Sequence, residues 1–268
     1  MLEDTFADII GKARFGHDLS LSEVAQHTKI TPSHLKQLEA GLSLPTLSDI
    51  SALASCLGLH AEKLSVIAEG GWEPHVADME CLKTIRGHIG TYPVNGYLAI
   101  DHGSAVLFDT AVAPEQVLYT LEHAGVHLVA IFITHAHADH IGGVEKIREA
   151  TKAPIYLHTQ ERRGQDICAI ASLEAIEIDG FHVRPLMTPG HTPGGTSFLL
   201  EIASHAMVFC GDALFAGSIG RAYMPASYAT LRASVHDVLL SLPGETLLFP
   251  GHGPATTVCE ERLHNPFF

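Results

Sequence analysis

The segment Thr134-His135-Ala136-His137-Ala138-Asp139-His140 places three imidazoles and one carboxylate within six residues. Neutral imidazole and carboxylate are donors that suit zinc, iron and manganese. The alternate spacing of His135 and His137 lets both side chains point one way as the chain leaves a strand. Asp139 and His140 then turn toward a second position as a helix begins. Three later segments repeat one design, in which an apolar run leads into a glycine-bearing turn and then a ligand-type residue. They are Leu186-Met187-Thr188-Pro189-Gly190-His191, Val208-Phe209-Cys210-Gly211-Asp212 and Leu248-Phe249-Pro250-Gly251-His252. Glycine lets the backbone turn sharply or pass close to a ligand. A single loop histidine carries little information, but seven such residues at the ends of four strands predict one metal centre.

The elements that must deliver these residues alternate between short apolar runs and helices from about Val76 onward. Tyr97–Ile100 and Ala105–Phe108 flank Gly103 as a hairpin, Glu115 to Ala124 reads as a helix, and Leu128–Ile133 as a buried strand. A helix over 142–150 follows the histidine segment. Further strand candidates lie at 155–157, 183–187, 197–200, 207–210 and 246–249. This alternation implies a layered α/β domain.

Residues up to about Leu64 read instead as short helices. Ser20 or Ser22 can cap one that begins at Leu21, with Glu23 near its positive end. Thr31-Pro32 starts the next, which Gly41 stops, and a third carries Leu47, Ile50, Leu53, Ala54 and Leu57 before Gly58. Ala68-Glu69-Gly70-Gly71-Trp72-Glu73-Pro74 has no periodicity. The expected organisation is a helical unit over 1–67, a linker over 68–79 and the α/β unit over 80–268. Because the metal-ligand candidates all lie beyond Val129, the two units are expected to be separable.

HxHxDH, a histidine in TPGHTPGG, an aspartate in GDALFAGSIGR and a histidine in FPGHG, in that order, resemble the metallo-β-lactamase superfamily. Within it the chain is most similar to the short glyoxalase II-like hydrolases, which tend to end in a phrase like Glu261-Arg262-Leu263-His264-Asn265-Pro266-Phe267. The resemblance implies an αββα sandwich, with His135, His137 and His191 on one metal ion. Asp139, His140 and His252 hold the second, and Asp212 bridges both. It implies two divalent ions, zinc foremost with iron and manganese admissible. A metal-bridging hydroxide would attack a small thioester or ester, as in hydroxyacylglutathione hydrolases. Asp139 serves as the catalytic carboxylate that orients it, and Asp109 supports the ligands from behind. The persulfide dioxygenase branch shares the motifs but uses one iron, here on His135, His191 and Asp212. The stretch Arg221-Ala222-Tyr223-Met224-Pro225 departs from the acidic residue usual after GSIGR. The C-terminal helical extension of full-length glyoxalase II enzymes is not expected in the fifteen or so residues after His252.

Residues 19–64 resemble the Cro/repressor-type helix-turn-helix. That resemblance implies a homodimer in which Ser33, His34, Lys36 and Gln37 face a DNA major groove. Thr28-Lys29-Ile30 also resembles modules that bind proteins, so a dimerisation or docking element is the alternative. Lys29 stands where the family usually has its turn glycine, and Ala40 where it has arginine. A metabolite-sensing, DNA-binding regulator with the metal domain as sensor is the alternative in a different class.

Five lysines and arginines face eight acidic residues over 1–67, and eleven face twenty from Val76 onward. This balance weighs against broad nucleic-acid binding and against a nuclease. The five cysteines form no CxxC pair, and Cys210 reads as a buried thiol. No apolar run is long enough for a membrane span, and the start MLEDTFADII lacks a basic-then-apolar leader. A cytoplasmic protein with no membrane partner is the expectation.

Overall fold

The computed structural model describes residues 1–161, 167–170 and 174–268. Five helices come first: α1 (Phe6–Gly16), α2 (Leu21–Thr28), α3 (Pro32–Glu39), α4 (Leu47–Leu57) and α5 (Ala61–Ala68). Capping chemistry sets their starts. The Ser20 hydroxyl accepts from the Glu23 N–H while the Glu23 carboxylate accepts from the Ser20 N–H, and Thr5 with Asp8 and Thr46 with Asp49 repeat the arrangement. Thr31 caps α3 and Pro32 follows it. Lys29 closes α2 at φ 61, so the turn keeps its left-handed geometry without the usual glycine. The sequence reading did not separate out α1, although Phe6, Ile9, Ile10 and Ala13 recur at helical spacing and are buried.

Two six-stranded sheets follow. The first runs in chain order through β1 (Leu82–Ile89), β2 (Tyr92–Asp101), β3 (Ser104–Phe108), β4 (His127–Phe132), β5 (Ile155–His158) and β6 (Ile167–Ile170). The expected hairpin is β2–β3, with Tyr97 opposite Phe108. From β3 onward the neighbours are parallel, joined by α6 (Pro114–Ala124) and by α7 (Ala138–Ile141) with α8 (Val144–Thr151). The helix expected over 142–150 starts later, because Gly142 and Gly143 form the turn, Gly143 at φ 82.

The second sheet contains β7 (Ile176–Ile178), β8 (Phe181–Met187), β9 (Thr196–Ile202) and β10 (His205–Gly211). After the small hairpin β11 (Leu214–Phe215) and β12 (Ser218–Ile219) and the helix α9 (Tyr228–Ala233), the sheet gains β13 (Leu247–Pro250) and β14 (Thr256–Thr257). The strand order is β14-β13-β10-β9-β8-β7, and α10 (Val258–His264) follows β14.

Period-two burial divides the side chains among three cores. Phe108, Phe132, Phe198, Met207, Phe209 and Phe249 fill the space between the sheets, where the Phe108 and Phe209 rings stack with centroids 3.8 Å apart. On the outer face of the first sheet, Leu98, Leu107 and Ile131 pack with Val117, Leu121 and Ile147 of the helices. The outer face of the second sheet presents Leu199, Val208, Cys210 and Leu248. Burial pushes the Cys210 thiol up, away from ionisation.

That third core does not stop at the second sheet. It runs through Leu231, Val235 and Leu239 into Ile9, Ile10, Ala13, Leu53, Leu57 and Leu64 of the N-terminal helices. Gly16 at the end of α1 sits against the Tyr228 ring so closely that a Cβ there would lie 2.2 Å from Cγ. No helix or strand spans residues 69–81, yet this stretch is packed too. Trp72 stacks on His264 at 4.8 Å and donates its indole N–H to Glu260 at 2.7 Å. One apolar core spans both units, which weighs against their being separable. The full chain is expected to melt in one calorimetric transition, and a chain lacking residues 1–70 to aggregate. Two resolved transitions, with a monodisperse truncated protein, would show independent units.

Candidate metal centre

Each of the seven expected ligands leaves the end of an element on the same edge of the sandwich. β4 leads to His135 and His137, α7 carries Asp139 and His140, β8 leads to His191, β10 to Asp212 and β13 to His252. Their side chains form two groups, His135 with His137, His191 and Asp212, and Asp139 with His140 and His252. Ligand-type atoms within each group lie within 4.8 Å of one another. Asp212 also reaches the second group, with Oδ1 3.1 Å from His140 Nε2 and Oδ2 3.6 Å from His252 Nε2. Gly251 allows this closeness, since a Cβ there would lie 2.4 Å from the His140 ring and 2.5 Å from Asp212 Oδ1.

The outward nitrogens of four histidines are tied down. His140 Nδ1 donates to Asp109 at 2.7 Å, His252 Nδ1 to the Pro93 carbonyl at 2.5 Å and His191 Nδ1 to the Arg221 carbonyl at 2.7 Å. His135 Nδ1 donates to the Thr134 hydroxyl at 3.0 Å, which itself donates to Asp109 at 2.8 Å. In each neutral ring the hydrogen therefore sits outside and the Nε2 lone pair faces inward. His135 Nε2 and His191 Nε2 each lie 3.0 Å from His137 Nδ1. His140 Nε2 and Asp212 Oδ1 are both buried and lie 3.1 Å apart with no other hydrogen-bond partner for either atom. Convergent lone pairs of this kind are what a divalent cation satisfies, so the residues fit a metal pair.

Without a cation, acidic neighbours favour a proton on the His140 and His252 rings, a positive charge that a metal ion would replace. Burial pushes the His135 pKa well below the usual histidine range. For His140 burial is outweighed by Asp212 and Asp109, which hold its pKa well above that range. For Asp212 burial is likewise outweighed by His140, His191 and His135, which keep its carboxyl ionised. His137 and Asp139 are the more accessible members, so the centre opens on their side.

Asp109 is buried at φ 55 and accepts from the Thr134 N–H as well as from Thr134 Oγ1 and His140. Sequence reasoning missed Glu161, a buried carboxylate that accepts from the Ala136 N–H at 3.1 Å and the Gly194 N–H at 2.8 Å. It thereby joins the loops carrying His135 and His191. No local pattern marks it, because both partners are backbone groups far along the chain. In α3, Ser33, Lys36 and Gln37 are exposed, whereas His34 is half-buried and its Nε2 lies 3.2 Å from Asp49. Among the described residues no helix is long and apolar enough to cross a membrane.

Residues 89–164 and 168–252 match the family model described as the Metallo-beta-lactamase superfamily, and residues 10–64 match the Helix-turn-helix family. The chain belongs to the metallo-beta-lactamase superfamily. It is 35% identical over 207 residues to a probable metallo-hydrolase, YqgX, of Bacillus subtilis, covering 69% of this chain and 97% of the relative. It is 30% identical to the hydroxyacylglutathione hydrolase GloC of Haemophilus influenzae, covering 62% and 88% of the two chains. To the human mitochondrial persulfide dioxygenase ETHE1 it is 34% identical, covering 63% and 69%. Among solved structures, the B3 metallo-beta-lactamase BLEG-1 superposes with a TM-score of 0.62 at 33% identity, covering 69% and 98%. A di-iron-bound form of TTHA1623 gives 0.58 at 33%, covering 69% and 100%. Groups that hydrogen-bond to metal ligands orient them and tune metal affinity. Asp109→Ala is expected to lower metal affinity by about 10–100-fold, measured by competition with a chromophoric chelator. Unaltered retention would mean that Asp109 serves the turn alone.

Proposed function

We propose that this protein hydrolyses a small thioester or ester, in the manner of the hydroxyacylglutathione hydrolases, with a pair of divalent cations, zinc foremost. The observation that carries the reading is the completeness of the second ligand group. Asp109 and the Pro93 carbonyl orient the His140 and His252 rings inward beside Asp139, where a second cation would be held.

Two bound cations supply Lewis acidity and a water whose pKa is lowered toward about 7. The chain's own groups do the rest. Asp139 Oδ2 stands 3.3 Å from His252 Nε2 on the accessible side, where it orients the attacking water and takes its proton. Asp212, held as the anion, balances the positive charge between the two ligand groups. The walls of the sandwich exclude bulk water from the buried side of the centre.

Metal analysis of the purified protein, combined with a screen of thioesters, lactones and glutathione persulfide, tests this reading. About two equivalents of zinc, iron or manganese with thioester or ester turnover is the expected result. One equivalent of iron, with oxygen consumed on persulfide addition, would replace it with the dioxygenase reading.

For the N-terminal unit we propose DNA recognition by a homodimer, giving the protein a regulatory role beside its chemistry. The exposed Ser33, Lys36 and Gln37 on the second helix of the turn support this, with His34 partly withdrawn toward Asp49. Two such helices would meet successive major grooves about 34 Å apart. Selection from random duplexes at physiological salt is expected to enrich a two-fold symmetric site, bound more weakly as salt rises. A stable dimer that enriches nothing would rule DNA out as the partner.

A further inference from the structure

Asp212 leads directly into the hairpin β11–β12, and that hairpin touches three of the proposed ligands. Gly220, just past its end, packs so closely that a Cβ there would lie 1.7 Å from the Asp212 carbonyl oxygen and 3.4 Å from His191 Nδ1. Phe215, in β11, meets the His252 ring edge-on with centroids 5.6 Å apart. A displacement of this hairpin would therefore move the shared aspartate and disturb both ligand groups.

The hairpin has little of its own to hold it, since each strand is two residues long. It is gripped from outside. On one side the Gly217 N–H donates to both carboxylate oxygens of buried Glu261, at 3.2 and 3.1 Å, and Asn265 Nδ2 donates to the Ser218 carbonyl at 2.9 Å. On the other side the grip belongs to the N-terminal unit. Lys12 Nζ, from the middle of α1, donates to the Ile219 carbonyl at 2.8 Å and lies 4.5 Å from the centre of the Phe215 ring. Asp4 binds the same ammonium. The tip at Gly217 enters a socket in which a Cβ would meet Trp72 at 2.9 Å and Ile67 at 3.0 Å.

The Lys12–Asp4 pair is largely buried, with side chains 15% and 8% exposed. A buried ion pair is generally no better for stability than apolar residues of similar volume. Packing alone does not account for it here. What the pair does, and apolar side chains could not, is fix a backbone carbonyl one residue before Gly220.

We propose that Lys12, anchored by Asp4, is a positioning residue for the metal centre, through which the N-terminal unit sets the place of Asp212. The inference rests on the reading of Asp212 as the shared ligand. Linkage then runs both ways, so whatever moves α1 alters metal affinity, and metal binding alters α1 by the same free energy.

The test uses the full-length chain and zinc alone as the probe. Lys12→Met keeps an apolar stem over Phe215 and removes the donor. The double variant Asp4→Asn with Lys12→Met also removes the carboxylate that would be left buried and unpaired. Zinc affinity is read by chelator competition, coordination by the visible spectrum of cobalt-loaded protein, and folding by the melting temperature of the metal-free protein. Both variants are expected to bind zinc about tenfold or more weakly, as loss of outer support does elsewhere. Their cobalt bands should shift while the metal-free double variant melts near the wild type. A double variant with wild-type zinc affinity and an unshifted cobalt spectrum would overturn the proposal. So would a loss of zinc fully matched by a fall in metal-free stability. A wild-type chain that holds no zinc or cobalt would overturn the metal centre itself, which separates the two failures.

Discussion

A neutral imidazole has one hydrogen to give. In this protein four histidines give theirs outward, to Asp109, Pro93, Arg221 and Thr134, and the remaining lone pairs converge on one small volume. Two carboxylates enter the same space. Such a cluster is unfavourable by itself, because buried acceptors without donors carry a desolvation cost of about 1–3 kcal/mol each. Cations remove that cost, and the surrounding scaffold can be understood as the means of holding the cluster together.

The scaffold works by drawing the outer partners from elements that the two sheets already fix. Asp109 follows β3 and reaches across to β4's extension at Thr134 and to His140. The Pro93 carbonyl comes from β2 of the first sheet and orients His252, which follows β13 of the second. Tyr97 of β2 donates to the Pro250 carbonyl at 2.6 Å, tying the same two sheets beside the site. The aromatic layer of Phe108, Phe132, Phe198 and Phe209 keeps those sheets at a constant separation. Packing between the sheets is thus also the device that sets distances between ligands on different strands.

What could be read without coordinates follows from how local the chemistry is. His135, His137, Asp139 and His140 are legible because their donor types stand together, and His191, Asp212 and His252 because each follows an apolar run and a glycine. The strand ends and the caps at Ser20, Thr31 and Thr46 are legible for the same reason. Glu161 was not, because it holds two backbone N–H groups, and backbone groups leave no mark on residue type. Helix α1 carries a short apolar stripe of ordinary strength. Its significance depends on Ile219, Leu231 and Tyr228, some two hundred residues away, so no window along the chain could reveal it. The core shared by the two units is hidden on the same ground, since a glycine-rich join says nothing about the surfaces on either side of it.

The alternation in β10 shows why those surfaces belong together. Met207 and Phe209 face the interior of the sandwich, whereas Val208 and Cys210 face outward into the core shared with the N-terminal helices. A sheet buried on both faces needs a covering layer. Residues 228–239 and α10 supply part of that layer, and the N-terminal unit completes it. Arg221 illustrates the consequence at the site. It follows β12 and Gly220, and its guanidinium lies over the Phe15 ring of α1 at 4.5 Å while its carbonyl orients His191. The residue whose carbonyl orients a proposed ligand is therefore also packed against the extra helical layer. In this chain the helix-turn-helix unit forms part of the wall against which the metal ligands are built.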